Sequence, residues 1–169
     1  MGGARPLHPG RWLGVPALFC VLATIAFAAP IRIYGLQLPE PVFAMVPAFA
    51  WALIRPSILA PFALLLLGLF LDMFWGGPTG LWGLSLLVAY ATALTGRNMM
   101  TGQSRPMMWA WFAGVTAVAM AAGFLFSMLD SLAMPSLLAV FWQFLVTALL
   151  FPFAHRLIDR FEDADVRFR

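Results

Sequence analysis

The chain contains no lysine and a single cysteine, and only 10% of its 169 residues are charged. Each shortage excludes something. Cys20 cannot form an internal disulfide, and its place inside an apolar run makes it a small buried hydrophobe rather than a reactive thiol. Charge at 10% contrasts with about 25% in a soluble domain, and apolar residues reach 63% against about 45–50%. A water-exposed surface needs more polar side chains than this chain has, whereas lipid removes that need. The only histidines are His8 and His155, and neither has a second His or a carboxylate at a metal-binding offset within an apolar segment. There is no paired-carboxylate motif inside an apolar segment, no cysteine pair and no glycine-rich phosphate loop. The acidic run Glu162, Asp163 and Asp165 belongs to a polar tail. A membrane hydrolase needs a nucleophile with a base, or metal ligands at helical spacing. The residues therefore point to a non-catalytic protein with no cofactor and no metal.

What the chain does have is ten arginines, placed singly at the ends of about six apolar segments. With every segment crossing a bilayer and the N-terminus cytoplasmic, nine of the ten fall on one side: Arg5, Arg11, Arg55, Arg97, Arg105, Arg156, Arg160, Arg167 and Arg169. Only Arg32 lies outside. This is the positive-inside bias, and it sets span number and orientation together. The arginines form no stripe or cluster, which argues against nucleic acid despite the net charge of +3. The expected fold is all-α: one polytopic membrane domain over residues 1–169, with both termini cytoplasmic, in a bacterial inner membrane.

A span needs about 20 apolar residues. The segments fall at about 12–30, 33–54, 56–75, 79–95, 106–129 and 135–153, with a cytoplasmic tail at 154–169. In the first, Ala26-Phe27-Ala28-Ala29 is similar to a signal-peptidase site, although the run is long enough to be a permanent span. The second is weak, with 14 apolar residues from Pro41 to Ile54, interrupted by Pro47. Removing it as a crossing would invert every later loop against the arginine bias. It is therefore expected to cross as a kinked helix that begins near Ile33, with Glu40 near its outer end and Pro47 freeing a carbonyl. Pro56 suits the first position of the third helix. Gly76-Gly77-Pro78-Thr79-Gly80 makes a tight outer turn, and residues 97–105 form the one sizeable inner loop. Trp12, Trp51, Trp109 and Trp111 at the inner face, with Tyr34, Trp75 and Trp82 at the outer, read as aromatic belts. In the tail, Leu157, Ile158 and Phe161 share one helix face, suited either to the lipid interface or to a cytoplasmic partner.

Asp72 is the polar residue of most interest. At the bilayer centre an Asp costs about 2.5–3.5 kcal/mol, and less near the interface. Two roles are open to it. It either faces a cavity and binds a partner or ligand, or it accepts hydrogen bonds from the following turn and fixes a hairpin. Gly68, four residues earlier, shares its helix face and would admit a close helix neighbour. Gln143 lies within the sixth segment and needs partners there, most simply a second helix of the same bundle. Asp130 ends the fifth segment and is expected in solvent. Arg55 is either a topology anchor or a contact residue.

The run Arg55-Pro56, Gly68-Leu69-Phe70-Leu71-Asp72 and Gly76-Gly77-Pro78-Thr79-Gly80-Leu81 resembles the rod shape-determining MreD family. The specific part of the likeness is residues 56–81, and Pro152 followed by His155-Arg156-Leu157 also fits. The resemblance implies a non-catalytic membrane scaffold of the bacterial cell elongation complex. Such a protein binds MreC and helps link MreB filaments to RodA and its penicillin-binding transpeptidase partner during lateral peptidoglycan synthesis. It also implies an overall fold similar to the S-components of energy-coupling-factor transporters. Arg55, Pro56, Gly68, Asp72, Gly76, Gly77, Gly80 and Gln143 are then the partner-binding or structural positions. Small residues such as Gly68, Gly114, Ala117 and Gly123 mark where helices could pack, and Gly68→Leu is expected to abolish partner co-purification without preventing insertion. The alternative is a vitamin-binding subunit of such a transporter, with Asp72, Gln143, Trp75, Trp82 and Trp142 around an outward-facing pocket.

Overall fold

The computed structural model describes residues 10–28, 32–33, 36–37, 40–54, 56–100, 102–131 and 136–166. Arg55, Tyr34 and the stretches around Pro30 and Pro135 lie outside the described residues. A π-helical turn, Gly10–Gly14, leads into α1 (Val15–Phe27). The two-residue strands β1 (Arg32–Ile33) and β2 (Leu36–Gln37) pair antiparallel. Then follow α2 (Met45–Ile54), α3 (Leu59–Trp75), α4 (Leu81–Met100), α5 (Arg105–Ser131), α6 (Leu137–Ala148) and α7 (Phe151–Val166). Apart from the small hairpin the fold is all-helical. The stretches Arg105–Asp130 and Leu137–Arg160 are long and apolar enough to cross a membrane, and Trp12–Phe27, Met45–Ile54 and Leu59–Trp75 are shorter apolar helices.

The core is organised around α2. Every residue from Met45 to Ala52 is buried, which matches a helix apolar on all sides. It packs against α4 and α7 and also touches α3 and α5. The buried face of α7 is Phe151, Ala154 and Ile158. The tail face read as available to lipid or partner is thus used internally at Ile158, while the Phe161 side chain lies outside the described residues.

The second segment departs from expectation. Ile33 belongs to the hairpin, and helix forms only from Met45. Ten residues give about 15 Å of helix, half of a bilayer core of about 30 Å. The segment still runs the length of the bundle. Glu40 lies beside Trp75 at the far end of α3, and Trp51 donates its indole N–H to the Trp12 carbonyl at 3.0 Å, near the start of α1. Pro41 disfavours helix at Glu40, ahead of α2. Pro47 is the third residue of α2 and leaves neither nearby carbonyl free, since Val46 N donates to Phe43 O at 3.1 Å and Ala48 N to Ala44 O at 3.2 Å.

Other boundaries also move. Pro56 is exposed and precedes α3 by three residues, and the first turn is capped by Ser57 Oγ, which accepts from Leu59 N at 3.1 Å. Helix α4 continues through Arg97 to Met100 and α5 begins at Arg105, so the expected inner loop is shorter, turning at Gly102 with φ +77°. Trp12 and Trp51 meet edge-on in the core, 6.5 Å apart, and are not belt residues. The sixth segment breaks at Leu149 and Leu150 and resumes as α7. Pro152 has no N–H to give the Ala148 carbonyl, and Trp109 Nε1 on α5 donates to that carbonyl at 2.9 Å.

Trp109→Phe should therefore lower stability by about 1–2 kcal/mol, the cost of leaving that carbonyl unpaired. In a Pro152→Ala background, where the backbone can supply the bond, thermal unfolding in detergent should register a smaller loss.

Candidate functional site

The sequence-predicted residues Gly68, Asp72, Gly76, Gly77 and Gly80 come together where α3 turns into α4. Helix α3 ends at Gly76, whose φ of +66° is the left-handed cap that glycine adopts without strain. Gly80, with φ +98°, opens α4 and has no side chain with which to cap it. Asp72 supplies the cap from one helix earlier. Its Oδ2 accepts from Gly80 N at 2.7 Å and its Oδ1 from Trp82 N at 2.9 Å. The carboxylate is 1% exposed and sits at the positive end of the α4 dipole. Two otherwise orphaned N–H groups are satisfied by charge-assisted bonds. Of the two roles open to Asp72, the geometry is that of the hairpin anchor.

Below the turn the helices touch backbone to backbone. A Cβ on Gly68 would collide with the N and Cα atoms of Gly83 on α4. Gly68 therefore lies inside the protein and presents nothing to an external partner. Gly68→Leu would disturb the α3–α4 contact before it could report on partner binding. Gly123 on α5 plays a similar part, since a side chain there would strike Ser85 Oγ on α4.

A second group of bonds ties this hairpin to the irregular start of the second segment. Trp75 and Trp82 meet edge to face at 5.0 Å, and Trp75 Nε1 donates to Glu40 Oε2 at 2.7 Å. Gln143 Nε2 on α6 donates to the Glu40 carbonyl at 3.3 Å. One turn further along α6, Thr147 Oγ1 accepts from Val42 N at 3.1 Å and donates to the Gln143 carbonyl at 2.7 Å. Gln143 thus bridges two parts of the bundle. Glu40 and Thr147 were not singled out from the sequence as partners in this network. The available signals were an acid between two prolines and a Thr four residues after a Gln on an apolar helix.

Between α4, α5 and α6 lies a cleft of about 170 Å³. Trp82, Ser85, Gly123 and Gln143 are among its lining residues, and Asp72, Trp75 and Trp142 are not. Trp142 is 47% exposed and packs edge-on to Phe141. The pocket residues named from the sequence are therefore only partly brought together. Pro56 lies at the opposite end of α3. On the outer side of α5, Ala110, Gly114, Ala117 and Ala121 are exposed in one stripe at helical spacing, and a Cβ at Gly114 would meet nothing within 4 Å. Asp130, at the end of α5, is exposed as expected. Among the described residues no three His, Cys, Asp or Glu side chains converge as a metal site.

No protein-family model, curated protein or solved structure matches the chain.

Asp72→Ala should lower stability by roughly 2–4 kcal/mol, because two buried N–H groups lose their acceptor together. Asp72→Asn, which keeps one acceptor oxygen, should cost less. Thermal unfolding with hydrogen exchange at the Gly80 and Trp82 amides would separate the two. Gly68→Ala should cost about 1–3 kcal/mol through overpacking, read in the same unfolding assay.

Proposed function

We propose that this protein is a non-catalytic, multi-pass scaffold of the bacterial inner membrane. Its place is in the cell elongation complex, where it binds MreC and helps organise RodA, its transpeptidase partner and MreB filaments. The observation that carries this reading is the bare small-residue stripe on α5. Gly114 and Ala117, two of the small residues expected to mark helix packing, face outward with no helix among the described residues over them. Small residues at such spacing let a partner helix approach closely within a membrane. Asp72 and Trp75 of the α3–α4 hairpin are engaged in internal hydrogen bonds, which fits a protein that presents surfaces rather than reactive groups. The resemblance of residues 56–81 to the MreD family supplies the choice of complex. The arginine bias supports six crossings with both termini cytoplasmic.

The cleft between α4, α5 and α6 is what favours a second reading, the vitamin-binding transporter subunit. At about 170 Å³ it falls short of the roughly 300–1,000 Å³ of sites for drug-sized ligands. The scaffold is therefore preferred.

Purification of the tagged protein from its native membrane after light crosslinking, followed by mass spectrometry, is the test. MreC, RodA or a penicillin-binding transpeptidase should be recovered, and Gly114→Leu should reduce that recovery about tenfold without changing thermal unfolding. Recovery of paired ATPase subunits, or of a bound vitamin, would replace this reading with the transporter. Reporter fusions give an independent check: an export-dependent phosphatase should be active when fused after Asp130 and inactive when fused after Met100.

A further inference from the structure

We propose that α7 holds the phosphate of an anionic phospholipid at the inner membrane surface, with Arg156 and Arg160 as its ligands and Phe153 beside its acyl chains. The site rests on the membrane reading above and is independent of the complex to which the protein belongs.

Three observations lead there. First, one uncovered apolar face runs from α6 onto α7. Leu138, Trp142 and Leu149 are 64%, 47% and 65% exposed, and Phe153 is 49% exposed. Their spacing keeps them on one side of a helix. The break between α6 and α7 preserves that side, since Leu149 has α-region angles and its N–H still reaches Leu145 O at 3.2 Å. No Asp, Glu, Lys or Arg occurs between Leu137 and His155. From Leu138 to Arg156 the rise is about 27 Å at 1.5 Å per residue, close to the ~30 Å of a bilayer core. On the membrane reading, lipid covers a face of that length and the headgroups lie where it stops. Second, the face ends in two cations. Arg156 and Arg160 are exposed, and among the described residues neither enters an ion pair. Asp159, which lies between them in sequence, is turned to His155 Nδ1 at 3.2 Å. Third, the arginines are four residues apart, so their Cβ atoms lie about 5–6 Å from each other. Both guanidinium groups can then reach one tetrahedral anion, and their forked N–H donors suit phosphate oxygens.

The combination selects the occupant. A free phosphate ion would satisfy the arginines and leave Leu149 and Phe153 without apolar cover. An acidic protein segment would have to bring apolar residues of its own to the level where lipid already lies. A phospholipid with net negative charge supplies both parts at the required spacing, its phosphate one turn beyond the last exposed apolar side chain. Trp109 adds to the same boundary, because its indole is 47% exposed and bonds to the Ala148 carbonyl, immediately before Leu149. Arg97 offers no comparable site. It lies in the last turn of α4, where the helix dipole already offers its guanidinium negative charge, and that helix has no second arginine three or four residues away.

The test uses the full chain in nanodiscs of phosphatidylcholine with a minor fraction of phosphatidylglycerol, and native mass spectrometry of the lipid that stays on the released protein. Wild type should retain phosphatidylglycerol in excess of its share of the bilayer. Arg156→Gln with Arg160→Gln should lower that excess about tenfold, and Arg156→Gln alone should lower it less. Arg97→Gln, which removes the same charge elsewhere at the inner face, should leave it unchanged. Thermal unfolding of the Arg156 and Arg160 variants should not move, since both side chains are exposed. Equal retention in wild type and the double variant overturns the proposal, and a double variant that instead loses a crosslinked cytoplasmic protein would give the face to that protein. An equal fall in Arg97→Gln would mean attraction by net charge alone and also overturns it. Inorganic phosphate, compared with chloride at the same ionic strength, separates the two sources of the anion: retention should persist, and its loss would assign the arginines to a soluble ion. Carbonate extraction of the native membrane separates the two levels. Protein that stays in the pellet but shows no preference for phosphatidylglycerol overturns this inference alone, whereas protein released to the supernatant overturns the membrane reading with it.

Discussion

A backbone group that is freed inside an apolar bundle has to be satisfied by the protein itself, and this requirement governs the structure. The chain breaks its helices in several places, and at the breaks described above a side chain from elsewhere takes up the orphaned group. Asp72 on α3 receives the first amides of α4. Thr147 on α6 receives the Val42 amide, and Gln143 supplies the Glu40 carbonyl. Trp109 on α5 supplies the Ala148 carbonyl released by Pro152, and Trp51 supplies that of Trp12. These polar side chains are thus matched to the irregularities of the backbone. Their removal would do more than weaken a contact, because each leaves a buried group with no substitute.

This division of labour explains why two features that look functional in sequence have structural roles. An aspartate within an apolar helix, followed by a glycine-rich turn, suggests a binding centre. Its geometry is that of a cap supplied by the preceding helix, needed because Gly80 cannot cap itself. Gly68 upstream serves close approach, and Gly76 and Gly80 downstream supply positive-φ backbone. The surface left for intermolecular work is then the small-residue stripe of α5 and the uncovered face that runs from α6 onto α7. The cleft beside α6 lies on a different face of α5 from the stripe, since Gly114 and Ala117 are exposed whereas Met120 and Gly123 are buried toward α4.

Some of this was legible in the sequence and some was not, and the difference follows the range of the interaction. The α3–α4 hairpin was legible because Asp72, Gly76 and Gly80 lie within one turn or two of each other and act locally. The all-helical architecture was legible from the lengths of the apolar runs. The second segment was misread as a helix from Ile33, because its irregular first half is held by Thr147, a residue 105 positions away. Pro47 was assigned a kink because its position within the helix depends on where the helix starts, and that start is set by Pro41 and the tertiary contacts. The break before Pro152 lay inside an apolar run, and nothing local shows that an indole on α5 stands ready to receive Ala148. Trp12 and Trp51 were placed in a belt because tryptophan is common at interfaces, whereas here the bond between them keeps both in the core.

The burial of α2 has a consequence for the order of biosynthesis. Its ten residues are covered on one side by α7, and the chain before it is held by α6, both made about a hundred residues later. While the ribosome is still adding the fifth helix, α2 lacks its α7 neighbour and the Val42 amide lacks its acceptor. The segment must wait until the last helices arrive. A transcript cut short before Thr147 would leave that wait permanent, whatever the soundness of its first five helices.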